Sequence, residues 1–128
     1  MFGLHHHVRD RFPATNVAST ITLTPAGKSS RLYSSFSQQQ LDDAQNLRIT
    51  YNHHSFGIAV STVSEWFMND ELEVLSTAVD TQGNTYVSSI EAKNYPFYGT
   101  QFHPEKVSFL WSPDVDVPHT TQAMSFNN

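Results

Sequence analysis

Tyr95-Pro96-Phe97-Tyr98-Gly99-Thr100-Gln101-Phe102-His103-Pro104-Glu105-Lys106 is the stretch on which the fold and the chemistry turn. Tyr98 to Phe102 combine aromatic, small and β-branched residues and predict a short strand. That strand must end by Pro104, which has no N–H to give to a ladder. His103 and Glu105 stand two apart across the break, so an extended backbone would turn both side chains to one side. A carboxylate in that place accepts the proton of one imidazole nitrogen, fixes the tautomer and leaves the other nitrogen as a base. Such a base needs a nucleophile, and the 128 residues contain no cysteine.

Outward from this motif the chain alternates strand and helix patterns. Val17 to Thr24 is β-branched with alternation and predicts a strand ended by Pro25-Ala26-Gly27. Leu32, Tyr33 and Phe36 fall at helical spacing and predict a short helix over 29–36. Residues 37–46 fit either a helix buried on Leu41 and Ala44 or a loop. Leu47 to Tyr51 and Gly57 to Val60 read as short strands. Residues 64–72 predict a helix or turns, with Trp66, Phe67 and Leu72 on the buried side. The clearest unit is a hairpin with arms at 73–81 and 85–92, apolar at Val74, Ala78, Val87 and Ile90. Its turn at Gln82-Gly83-Asn84 supplies the positive φ of a tight reversal. Phe97, Tyr98, Phe102, Phe109 and Trp111 are expected in the core. Strands mixed with helices indicate an α/β protein with antiparallel strands at the sheet edge.

Composition narrows the partners. The formal charge is -5 with only seven Lys and Arg, which argues against nucleic acid or an anionic membrane, because both want a basic face. No apolar run reaches the length of a membrane span. Residues 1–12 differ in composition from the rest and are expected to be an untethered segment, with the domain running over 13–128. His5-His6-His7 point in different directions on a helix or strand, so no preorganised metal site is read there, and no cofactor is expected.

The Gln101-x-His103-Pro104-Glu105 core resembles the histidine-glutamate end of class I glutamine amidotransferase-like hydrolases. Tyr95-Pro96 before it, Lys106 behind it and Trp111 beyond make the longer form similar to the gamma-glutamyl hydrolases. A second match, Asn52-His53-His54-Ser55-Phe56-Gly57-Ile58, resembles the segment in which these hydrolases hold another active-site histidine, with His54 in that role and His53 beside it. The resemblance implies a flavodoxin-like three-layer sandwich. It further implies hydrolysis of gamma-glutamyl bonds of folyl or antifolate poly-gamma-glutamates. On this resemblance His103, Glu105 and His54 are catalytic, Gln101 and His53 bind substrate, and a homodimer in a secreted, lysosomal or vacuolar setting is implied. The family's Gly-x-Cys-x-Gly nucleophile elbow would lie before Met1, and no Gly-x-Ser-x-Gly replaces it. The expectation is therefore a C-terminal half of the fold, with the N-terminal half missing and the isolated chain inactive. A non-catalytic half-domain and a glutaminase-type piece are the alternatives.

Overall fold

Short-range signals and long-range packing share control of this chain, and the element boundaries show where each prevails. The computed structural model describes residues 9–65, 71–109 and 117–128. In chain order the elements are β1 (Asp10–Ser19), β2 (Thr22–Leu23), α1 (Pro25–Lys28), α2 (Gln38–Asn46), β3 (Thr50–Gly57) and α3 (Val60–Glu65). They are followed by β4 (Leu72–Val79), β5 (Thr85–Ala92), β6 (Tyr98–Thr100), α4 (Pro104–Phe109) and α5 (Thr121–Asn127). β1 and β3 form a two-stranded sheet, and a four-stranded sheet runs β2-β4-β5-β6. Every pairing among these strands is antiparallel. The mixed α/β class is thus present and is consistent with part of a flavodoxin-like fold.

β1 is longer than its β-branched run suggests. It takes in Asp10, Arg11 and Phe12, which composition places in the N-terminal segment, because Phe12 is buried against the ring of Tyr86 at 5.7 Å. The register with β3 slips on either side of Ala14. One slip falls at Pro13, which has no N–H for the ladder. The other includes Asn16, whose φ of 55° lies in the left-handed region that asparagine tolerates. Its side chain accepts a hydrogen bond from the Tyr51 hydroxyl at 3.0 Å.

The hairpin forms as β4 and β5, from Leu72↔Ala92 to Val79↔Thr85, with Gly83 at φ +84° in the turn. Asp80 braces the reversal, its Oδ1 accepting from the N–H groups of Gln82 and Asn84. α2 forms because Ser37 and Gln40 make a reciprocal capping box, while Leu41 and Ala44 face the core.

Three expectations are corrected. Residues 29–36 are turns, because their groups are committed elsewhere. The Leu32 N–H donates to Glu91 Oε1 at 2.9 Å, the Tyr33 N–H to Ser30 Oγ, and the Arg31 guanidinium to the carbonyls of Ala92 and Tyr95. After Gly57 the chain enters α3, and only the Ile58 carbonyl still serves β5, through the Val87 N–H at 2.8 Å. Phe97 and Tyr98 are exposed, since β6 is the outer strand of its sheet and Tyr98 lies beneath the Arg31 guanidinium. Trp66, Phe67 and Trp111 lie outside the described residues.

The main core joins Ile21, Leu23, Leu75 and Tyr51 from the strands to Leu41 and Ala44 of α2 and Ala123 and Phe126 of α5. A smaller one unites Phe12, Ala78 and Tyr86, and it packs the β1–β3 ribbon against the hairpin. No helix among the described residues is long and apolar enough to cross a membrane.

Candidate functional site

The histidine-glutamate motif stands where β6 gives way to α4. Phe102 is buried in the main core and anchors the end of the segment. The His103 N–H donates to the Tyr51 carbonyl at 2.8 Å, which ties the motif to β3. Pro104 then opens α4, a position where a missing N–H costs nothing. The spacing argument is corrected in its detail. The two side chains meet over the start of a helix, with Glu105 in its first turn, and not along an extended strand. The result is the same pairing, His103 Nδ1 to Glu105 Oε1 at 3.0 Å. A carboxylate on Nδ1 favours the tautomer that carries its proton there, which leaves Nε2 as the proton acceptor. Glu105 is 59% exposed, so the pair orients the ring more than it stabilises the fold.

β3 contributes the second histidine. Tyr51 and Asn52 are buried, His53 is exposed and His54 is half-buried. Alternation puts Asn52 and His54 on the face toward the hairpin and His53 on the other. The imidazole of His54 meets the Tyr86 ring edge-on at 4.9 Å. Neither of its nitrogens makes a well-formed hydrogen bond, although both are shut off from solvent. Burial therefore pushes its pKa below the usual histidine range, and the nearby charge of His103 adds to this. The carbonyls of Phe12 and Phe56 and the carboxylate of Asp80 oppose the shift and only reduce it. A neutral His54 thus stands within electrostatic reach of His103.

The remaining predicted residues are placed differently. Lys106 sets its ammonium over the Tyr51 ring at 5.8 Å. Gln101 gives its N–H to the Ser88 carbonyl at 2.7 Å and borders a cleft of about 130 Å³ between Ile58 and Ile90. The lining of that cleft includes neither His103 nor His54. The structure accordingly groups His103, Glu105 and His54, while Gln101 and His53 face elsewhere. Among the described residues no cluster of three histidine, aspartate or glutamate side chains has the arrangement of a metal site. Sequence reasoning passed over Tyr86 and Asn52. The signal for Asn52 was its place two residues before His54 on one strand face, and nothing local marked Tyr86.

Comparison with known proteins covers most of the chain. The class I glutamine amidotransferase family matches residues 10–114. Gamma-glutamyl hydrolase B of Dictyostelium discoideum is 30% identical over 114 residues, which cover 88% of this chain and 33% of that protein. Gamma-glutamyl hydrolase 1 of Arabidopsis thaliana is 29% identical over 119 residues, 91% of this chain and 34% of its own. Gamma-glutamyl hydrolase of Rattus norvegicus is 29% identical over 116 residues, 86% and 36% respectively. The chain spans about a third of the length of these curated relatives.

Proposed function

The chain belongs to the class I glutamine amidotransferase family, and from that premise we propose that it supplies the histidine side of a gamma-glutamyl hydrolase site. The substrates are gamma-glutamyl conjugates, with folyl and antifolate poly-gamma-glutamates as the class. The observation that carries the reading is the His103 Nδ1–Glu105 Oε1 contact at 3.0 Å, within electrostatic reach of the half-buried His54.

In this reading Nε2 of His103 removes the proton of a cysteine thiol, and the thiolate attacks the carbonyl carbon of the gamma-amide. The tetrahedral oxyanion collapses, the C–N bond breaks, and the imidazolium returns its proton to the leaving amine. Water, deprotonated by the same nitrogen, then cleaves the thioester and frees the thiol. Glu105 keeps the ring oriented and stabilises the imidazolium. His54, held neutral, adds no positive charge that would oppose protonation of His103.

The 128 residues contain no thiol to serve as the nucleophile. The chain by itself is therefore expected to be inactive, since loss of the nucleophile removes orders of magnitude in rate. The same observation favours a second reading, a non-catalytic domain that associates with a thiol-bearing relative. A glutaminase-type role is a variant of the first.

A chimaera tests the proposal, with this chain replacing the matching third of the Dictyostelium hydrolase. Glutamate release from a pteroyl poly-gamma-glutamate is expected, and His103→Ala should abolish it. A folded chimaera that releases none would reject the hydrolase reading, and activity surviving His103→Ala would reject the role of that histidine.

A further inference from the structure

A chain of buried polar contacts runs beneath His54 and crosses three strands. Tyr86 of β5 is fully buried, and its hydroxyl donates to Asn52 Oδ1 at 3.0 Å. Asn52 of β3 is buried too, and its amide donates to Ser19 Oγ of β1 at 3.2 Å and to the Thr50 carbonyl at 3.3 Å. Phe12 flanks the other side of the phenol ring at 5.7 Å. Asn52 and His54 are two residues apart on one strand face, so a phenol bonded to Asn52 is brought under His54. The 4.9 Å edge-on contact between the two rings is the consequence.

We propose that Tyr86 is the positioning residue of His54: its hydroxyl, fixed by Asn52, locks the phenol ring as the floor that sets the imidazole beside His103. The role rests on the hydrolase reading above, in which His54 belongs to the site. A buried phenol needs a partner for its hydroxyl, and here that partner sits on the strand that carries His54, so the bond that satisfies the hydroxyl also holds the ring under the imidazole. The phenol also stays a donor at all physiological pH, because burial and the nearby Asp80 carboxylate push its pKa upward. The groups facing His54 are Tyr86, His103, Asp80 and the carbonyls of Phe12 and Phe56. Of these, Tyr86 alone gives it an apolar contact surface at a fixed angle. With that surface removed, water reaches nitrogens that make no well-formed hydrogen bond, and the protonated form becomes easier to reach.

The experiment uses the 128-residue chain, with histidine ring signals followed by NMR across pH and His54 assigned from His54→Gln. In the wild type, cross-relaxation between the His54 and Tyr86 ring protons is expected, with His54 titrating below ordinary histidines. Tyr86→Phe keeps the ring but loses the tether to Asn52, so the ring-to-ring signal should weaken and the His54 midpoint should rise part of the way toward that of Tyr86→Leu. Tyr86→Leu removes the floor, and the His54 midpoint should rise by roughly half a pH unit or more while the other histidines hold. An unchanged midpoint in folded Tyr86→Leu overturns the proposal. So does a wild type without the ring-to-ring signal, or a Tyr86→Phe chain whose ring contact and His54 midpoint both match the wild type, and both can be read even where Tyr86→Leu does not fold. These readouts need no catalysis. An inert chimaera with the NMR results intact therefore counts against the hydrolase reading alone, and an unmoved midpoint counts against Tyr86 alone.

Discussion

Gly27→Ala separates helix propensity from packing, because the two predict opposite signs. Gly27 is buried in α1, and its φ needs no glycine, so alanine would favour the helix by about 1 kcal/mol. A Cβ built there would stand 2.0 Å from the Leu75 carbonyl oxygen and 2.9 Å from its carbon. Both are backbone atoms of a central strand and cannot rotate aside. The same oxygen accepts from the Thr24 N–H at 2.9 Å and from the Thr24 hydroxyl at 3.2 Å, and that hydroxyl also caps α1 through the Gly27 N–H. Relief of the clash must lift α1 from β4 and stretch those bonds. Overpacking costs about 1–3 kcal/mol, and two weakened hydrogen bonds add about 0.5–1.5 kcal/mol each. The clash outweighs the propensity gain, and a net loss of about 1–5 kcal/mol follows from these terms. Urea unfolding followed by circular dichroism gives the answer as a lower midpoint at unchanged slope. A midpoint equal to or above the wild type would mean that α1 does not sit against β4 as described.

The His54 imidazole has a depressed pKa through burial, so its contribution to stability is complete above about pH 6.5, the ordinary histidine value, and is lost as pH falls through the folded value. Thermal unfolding between pH 8 and 5 should therefore show a smaller decline for His54→Gln than for the wild type, and an equal or steeper decline refutes this. Glu105→Gln removes a carboxylate that is 59% exposed, so stability should change by less than about 1 kcal/mol. The same change in the chimaera should lower kcat by roughly tenfold or more through loss of ring orientation, and an unchanged kcat refutes the orienting role. Phe126→Ala opens the main core among Tyr33, Phe36 and Phe102 and should cost about 3–5 kcal/mol by denaturant unfolding.

What the sequence by itself determined are the features whose causes lie within a few residues of one another. Gly83 with the Asp80 side chain closes the hairpin, and the capping box of Ser37 and Gln40 starts α2, where residue pattern alone left helix and loop open. The His103–Glu105 pair also forms locally, across Pro104 at the start of α4. Tertiary structure decided the rest. Leu32, Tyr33 and Phe36 have helical spacing, yet residues 29–36 are turns because Glu91, some sixty positions away, takes the Leu32 N–H and anchors Arg31. Phe97 and Tyr98 have core-type side chains, yet an outer strand leaves them in solvent. Most of all, the character of His54 is not local. His53 and His54 are chemically alike, and one is solvated while the other is desolvated over Tyr86 only because β3 turns that face to the hairpin. Local geometry can fix which atoms are bonded over two or three residues. Which imidazole loses its water depends on what the distant chain places against it.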